Sequence, residues 1–170
     1  MVKKRQSNRP FPRMAFSSCG DKLTKAQLST ISYVLELPKE LQRFLLWRNG
    51  GTPLNRYFDW HQKDQGAQVG RVDSFFRFDA TSQNSGKHSC DCVWAILKCR
   101  YWLPRWSIPM GFANNDDFLI TFCNYDERAG QVWLKSWCHD IPDDEIGVDD
   151  ETYFVADSIV SFVHALRKEE

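Results

Sequence analysis

Residues 37–53 read Leu-Pro-Lys-Glu-Leu-Gln-Arg-Phe-Leu-Leu-Trp-Arg-Asn-Gly-Gly-Thr-Pro and carry the clearest local signal in the 170-residue chain. The proline suits the first turn of a helix, where backbone N–H groups have no intrahelical partner. Leu41, Phe44 and Leu45 then form one apolar stripe at helical spacing. The Asn-Gly-Gly at 49–51 favours a left-handed cap. The stretch therefore predicts a short helix with both ends marked.

Helical periodicity predicts three more helices, at Thr24–Glu36, Asp91–Trp102 and Val155–Leu166. The first is capped by Asp21 or Thr24. It ends before the Leu-Pro pair, because a residue that precedes proline is driven out of the helical region.

Runs of aromatic and alternating residues predict the strands. Two are expected at Tyr57–Trp60 and Val72–Phe78, separated by a polar insertion at 61–70. Further extended segments are Trp106–Phe112, Phe118–Phe122 and Gln131–Trp137, and the loop 124–130 joins the last two in an antiparallel hairpin.

This order of elements predicts an α+β fold, with a mostly antiparallel sheet packed against about four helices. We expect one domain over residues 23–170, after a basic and flexible segment at 1–22.

Positive and negative charges cancel, with 22 basic and 22 acidic residues. A zero net charge argues against a general nucleic-acid or membrane binder, which usually needs a basic field. The charge is nevertheless uneven, because residues 1–13 contain five bases and no acid, whereas residues 140–151 contain seven acids and no base. The acidic stretch is either a solvated loop pinned by its apolar residues or a surface for a basic partner.

Motifs for catalysis or metal binding are not found. The sequence has no nucleophile elbow, P-loop, dinucleotide fingerprint or zinc-protease helix. The histidines and cysteines at 88–92 and 138–139 lack the ligand pairs of a zinc site. The Asn-Asp-Asp at 115–117 is typical of a turn, so calcium is not predicted. We therefore expect no enzyme, metal or cofactor.

Targeting features are also not found. No apolar run approaches the roughly 20 residues of a membrane span, and no apolar region of a secretory signal follows the basic start. We expect a cytoplasmic protein whose six cysteines stay reduced.

The stretch 37–51 resembles the N-terminal signature of the SUKH superfamily, in its SMI/KNR branch: a Leu-Pro pair, a Phe-Leu helix and an Asn-Gly-Gly stop. Residues 107–111, 115–117 and 130–133 resemble the family's Ile-Pro-Ile-Gly, small acidic turn and Gly-x-Val-Tyr-x-Trp stretch. Residues 155–158, with Phe162, resemble its final helix. The departures are a glycine-poorer turn at 111–117 and the polar stretches 61–70 and 81–90.

The resemblance implies a domain whose bacterial members are mostly immunity proteins. Such proteins bind the toxic domain of a co-produced toxin, often a nuclease or deaminase. The leading hypothesis is an immunity protein, a monomer or weak dimer, that occludes a toxin's active site and contacts neither nucleic acid nor membrane. The alternative is an intracellular regulatory module, like the fungal relatives linked to cell-wall synthesis.

An immunity protein needs a standard interface with aromatic anchors and a charged rim. Acidic side chains would suit the basic substrate groove of a nuclease. The candidate acidic residues are Asp116, Asp117, Asp126, Glu127, Asp140, Asp143, Asp144 and Glu145. The candidate anchors are Trp60, Trp106, Trp133 and Trp137, each of which could instead pack in the core.

Overall fold

The computed structural model describes residues 10–35, 37–62, 65–77, 103, 107–124, 126–136 and 151–169. The helix predicted at 91–102 lies outside these residues, and so do most of the acidic stretch 140–151 and the side chains of Trp106 and Trp137.

Three α-helices occur in the described residues: α1 at Lys25–Leu35, α2 at Lys39–Trp47 and α3 at Ile159–Ala165. Helix α2 begins directly after Pro38, as predicted, and ends at Trp47. Its capping residue Arg48 is extended, with a φ angle of −147°, so the left-handed conformations occur only beyond the helix, at Gly50 and Gly51, with φ angles of 70° and 102°. At the start of α1, the Thr24 hydroxyl accepts the N–H of Gln27 at 3.2 Å, so the predicted cap is present.

Strands β1 (Phe16–Ser18) and β2 (Thr52–Pro53) form a small two-stranded sheet. Six more strands form one sheet in chain order, with every neighbouring pair antiparallel. These strands are β3 (Tyr57–Gln62), β4 (Gly66–Phe75), β5 (Ser107–Ala113), β6 (Phe118–Cys123), β7 (Val132–Ser136) and β8 (Thr152–Ala156). The α+β class and the antiparallel sheet are confirmed.

The six-stranded sheet curls until its first and last strands meet. Tyr57 of β3 and Arg167 exchange two backbone hydrogen bonds of 3.1 and 2.9 Å. The Trp60 ring of β3 lies 4.8 Å from that of Tyr153 on β8. The Arg167 guanidinium also donates to both carboxylate oxygens of Asp59, at 3.0 and 2.6 Å. The ring contact thus joins β3 to β8, and Arg167, which follows α3, pairs with the free edge of β3.

The core lies between the concave face of the sheet and the helices. The Phe75 ring of β4 lies 5.1 Å from that of Phe44 on α2 and 6.2 Å from that of Phe162 on α3. Phe58 of β3 packs on Phe162 at 5.2 Å. Gly70 faces Phe58 across the strand pair, and a side chain there would collide with the ring. One aromatic cluster therefore joins both helices to the sheet.

Three elements differ from the sequence prediction. In the polar stretch 61–70, residues 61–62 end β3 and residues 66–70 begin β4, with Gln62 paired to Gly66. The final helix starts at Ile159 and not at Val155, because Val155 and Ala156 lie in β8 and the Ser158 hydroxyl accepts the N–H of Ser161 at 2.9 Å. The described residues hold three helices where about four were expected, the remaining one being that predicted at 91–102.

Part of the segment that was expected to be flexible belongs to the folded body. Phe11 and Met14 are buried in the core, and β1 pairs with β2. The ring of Phe11 stacks on Trp47 of α2 at 4.8 Å. The domain therefore includes residues 10–22.

Replacing Phe44 with alanine should lower the free energy of unfolding by about 3–5 kcal/mol, because the ring is 1% exposed and holds α2 on Phe75. Chemical denaturation measures the change. Arg43→Ala, at an exposed position of the same helix, is the control and should cost less than about 0.5 kcal/mol. A Phe44→Ala loss as small as that of the control would contradict this account of the core.

Candidate functional site

The turn between β5 and β6 presents two of the predicted acidic side chains. Asn114, Asn115 and Asp116 all have left-handed backbone conformations, with φ angles of 56°, 62° and 66°. Asparagine and aspartate tolerate this region better than other non-glycine residues, which explains the local sequence. Asp116 and Asp117 are both exposed.

Strand β4 holds this turn through side chains. The N–H of Arg71 donates to the Asn114 side-chain oxygen at 2.7 Å. The Arg71 guanidinium binds one Asp73 carboxylate oxygen at 2.9 and 3.1 Å and also donates to the Asn115 side chain. The second Asp73 oxygen accepts the N–H of Asp116 at 3.1 Å. The turn is therefore ordered before any partner arrives, so less entropy is lost on binding.

Asp73 reaches the turn because the strand register is irregular there. Val72 pairs with Ala113 and Ser74 pairs with Phe112, so Asp73 is an extra residue in β4. An extra residue bends the strand and redirects its side chain. The irregularity thus supplies the carboxylate that fixes the turn.

The structure does not bring all the predicted acidic residues together. Asp126 and Glu127 belong to a 3-10 helix, Asp126–Arg128, between β6 and β7, and Glu127 is exposed. Asp116 and Asp117 precede β6, whereas this helix follows it. At about 3.3 Å per residue, the six residues of β6 separate the two groups by roughly 20 Å.

Asp140, Asp143, Asp144 and Glu145 lie outside the described residues. The flanking residues are described, and they show where this segment leaves and rejoins the sheet. Ser136 pairs with Phe118, the residue after the acidic turn, and its N–H donates to the carbonyl of Glu151 at 3.1 Å. Ser136 and Glu151, the described residues on either side of the gap, therefore lie at the Asp116–Asp117 end of the sheet.

The two described tryptophan candidates have different surroundings. Trp60 is 7% exposed and packs on Phe118 and Tyr153 at 5.5 and 4.8 Å, so it is a core residue and is not available as an anchor. Trp133 is half-buried and lies 5.6 Å from Phe154, which is 40% exposed. Trp133 thus belongs to an aromatic pair that reaches the surface.

The Trp133 ring is held in place on two sides. The Arg128 guanidinium lies 5.5 Å from the ring centre, a cation–π distance. The indole N–H donates to the Gln131 side-chain oxygen at 3.1 Å. Val132 and Leu134 lie on the opposite face of β7 and are buried, and Lys135, which shares the face of Trp133, is buried too. The sheet is therefore covered around Trp133, and the Trp133–Phe154 pair reaches the surface through Phe154.

Sequence reasoning missed Arg71, Asp73 and Phe154. Arg71 lies 43 residues from Asn114, and no local pattern links them. Phe154 directly precedes the helix predicted at 155–166, and no local pattern indicates its strand pairing with Trp133.

Within the residues that the structure describes, no group of three or more His, Cys, Asp or Glu side chains could hold a metal ion. In the same residues, no helix is long and apolar enough to cross a membrane.

A model of the SMI1/KNR4 family (SUKH-1) matches residues 27–164, which is most of the chain. The chain belongs to the SMI1/KNR4 family. No curated protein and no solved structure matches it. SMI1/KNR4-type proteins are generally non-enzymatic and bind partner proteins. The matched region runs from α1 into α3, so it includes the acidic turn and the Trp133–Phe154 pair.

Removing the Asp73 carboxylate should loosen the acidic turn. We expect Asp73→Ala to raise the amide hydrogen-exchange rate of Asp116 about tenfold, because the charged acceptor of that N–H is lost. Asp117→Ala, which alters an exposed neighbour, is the control and should leave the rate of the Asp116 amide within about twofold. Equal rates in Asp73→Ala and the unmodified protein would mean that the Asp73 carboxylate does not hold the turn.

Proposed function

We propose that this SMI1/KNR4-family protein is a non-enzymatic immunity protein that binds a bacterial toxin domain in the cytoplasm and occludes its active site. The observation that carries the proposal is the acidic turn, which Arg71 and Asp73 hold in one conformation while Asp116 and Asp117 stay exposed. Membership of a family of protein-binding proteins supports it.

The charge of the turn favours a nuclease as the toxin. A nuclease binds phosphates in a basic groove, and fixed carboxylates can occupy such a groove in their place. The whole chain has no net charge, so the attraction depends on where the acids are placed and not on their total. Asp116 and Asp117 place two exposed carboxylates together on a turn whose backbone is held by hydrogen bonds, and so concentrate negative charge at one point.

The Trp133–Phe154 pair would supply the apolar anchor of the same interface. Trp133 pairs with Thr121, four residues along β6 from Asp117 and one strand across. At about 3.3 Å per residue and 4.8 Å per strand, the two features lie within roughly 15 Å of each other. A standard interface of about 800 Å² per partner is roughly 30 Å across and would cover both.

The decisive experiment starts from the gene directly upstream, because the proposal requires it to encode a large secreted protein whose C-terminal domain is toxic. Co-expression of this protein with the C-terminal domain of a large secreted protein encoded directly upstream should restore growth of cells that the domain alone kills. The two proteins should also co-purify. If no complex forms and growth is not restored, the immunity proposal fails, and a regulatory module that binds another intracellular protein becomes the better interpretation.

Neutralising the turn should slow association with the toxin domain. We expect Asp116→Asn with Asp117→Asn to reduce the association rate constant about fivefold at low salt and little at high salt, because steering by charge is screened. Asparagine tolerates the left-handed backbone at 116, so the turn should keep its shape. Stopped-flow fluorescence measures the rate.

The matched control is Asp157→Asn with Glu169→Gln, which removes the same charge from two exposed positions outside the turn. Equal slowing in the two double variants would exclude a specific contribution of the turn. Charge reversal at Asp143, Asp144 and Glu145 tests the acidic segment in the same assay, and an unchanged rate would remove that segment from the interface.

Truncating the anchor should instead affect dissociation. Phe154→Ala should weaken the complex about 30-fold, because a central aromatic anchor contributes about 2 kcal/mol. Leu54→Ala is the control, since Leu54 is 55% exposed and lies on the loop after β2. Equal affinities of the two variants, measured by calorimetry, would show that the toxin binds elsewhere.

A further inference from the structure

A groove of about 920 Å³ lies on the part of the domain that carries α2 and β1. One wall consists of residues 11–15 and 19–22, and the other is the end of α2 with residues 46–49. This volume is within the range of sites that hold several side chains of a ligand. None of the residues that form the groove belongs to the acidic turn or to the Trp133–Phe154 pair.

The two walls are fastened to each other, so the groove is preformed. The N–H of Gly20 donates to the carbonyl of Asn49 at 2.9 Å. The Asn49 side chain donates to the carbonyl of Asp21 at 2.8 Å, and Asn49 itself is buried. A ligand would therefore meet a fixed shape and not a loop that has to be ordered.

The groove is rich in positive charge. Arg13 and Lys22 are exposed, and Arg48 is half-buried, while Asp21 is the acidic residue among those lining it. Three cations around one carboxylate create a local positive potential in a chain with no net charge. A ligand with negative charge would therefore match the positive charge of this groove.

The aromatic floor favours a peptide over a nucleic acid. Trp47 stacks on Phe11, with ring centres 4.8 Å apart and planes inclined by 21°. The Arg48 guanidinium lies 5.5 Å from the Trp47 ring centre, and Phe16 meets that ring edge-on at 5.8 Å. Single-stranded nucleic acid binds by stacking bases on open aromatic faces. Phe11 already stacks on the Trp47 ring, so a nucleic-acid base would have to displace it. An apolar side chain of a peptide can pack in the groove without stacking on that ring.

We propose that this groove is a second docking surface, which binds an acidic peptide segment of a partner protein. Carboxylates of the peptide pair with Arg13, Lys22 and Arg48, and an apolar side chain between them packs against Leu46 and Trp47, which line the groove and are half-buried. The acidic turn contacts Arg71 and Asp73 inside β4, whereas the groove lies beyond the last residue of that strand, where Arg77 lies beside Gly20 and Gly50. The two surfaces share no residue.

The test uses a fluorescein-labelled peptide of one phenylalanine flanked on each side by two acidic residues. Fluorescence anisotropy should show saturable binding that weakens with salt. Arg13→Glu with Lys22→Glu should weaken binding at least about tenfold, because two attractive contacts become repulsive. The control is Lys25→Glu with Lys39→Glu, which makes the same charge change at exposed positions in the first turns of α1 and α2, where acidic residues are tolerated.

A second readout locates the peptide. The thiol of Cys19 lines the groove and is free and exposed, whereas that of Cys123 is buried. Bound peptide should slow alkylation of Cys19, followed by mass spectrometry of its proteolytic fragment, and the reversed variant should lose this protection.

Three results would overturn the proposal. The first is equal binding of the peptide whose acids are replaced by their amides. The second is tighter binding of a single-stranded oligonucleotide, which would assign the groove to nucleic acid. The third is self-association that Arg13→Glu with Lys22→Glu abolishes, in the absence of peptide binding, which would assign it to a second copy of this chain. No toxin is used, so the outcome is independent of the immunity proposal.

Discussion

The contact of Phe75 with Phe44 and Phe162 is the interaction on which the rest of the structure depends. Phe75 belongs to the sheet, and its two neighbours belong to α2 and α3. The same aromatic network continues from Phe44 through Trp47 to Phe11. Burial of these rings is the dominant favourable contribution to folding, and it also fixes the wall of the basic groove.

Strand β4 connects the two surfaces that the molecule offers to partners. One part of it supplies Arg71 and Asp73 to the acidic turn. Its last residue, Phe75, packs in the core, and the chain beyond it passes beside the glycines that adjoin the groove. The negative charge of the turn and the positive charge of the groove are thus held at different points along the same strand. Such a molecule can be neutral overall and still attract two different kinds of ligand.

The elements that the sequence predicted well are those with local causes. Helix α2 has a proline at its start, an apolar stripe and two glycines at its end, and each signal acts within a few residues. The tip of the β3–β4 hairpin was missed because Gly66–Gly70 has low strand propensity and extends only through pairing with β3. Val155 and Ala156 fit a helical stripe, but pairing with β7 holds them in a strand. The bond from Asp73 to the turn joins distant residues, so only the fold could show it.

The pairing of Arg167 with the edge strand β3 has a consequence for solubility. A strand edge with unpaired N–H and C=O groups invites another sheet to add to it, and this is a common route to aggregation. Here part of the free edge of β3 is covered, because Tyr57 exchanges two backbone bonds with Arg167 and the Arg167 side chain binds the carboxylate of Asp59. The residue that follows Leu166 therefore occupies backbone groups of β3 that another strand would otherwise use. Partners would then bind through loops, side chains and the groove, and not by adding a strand to this part of the edge.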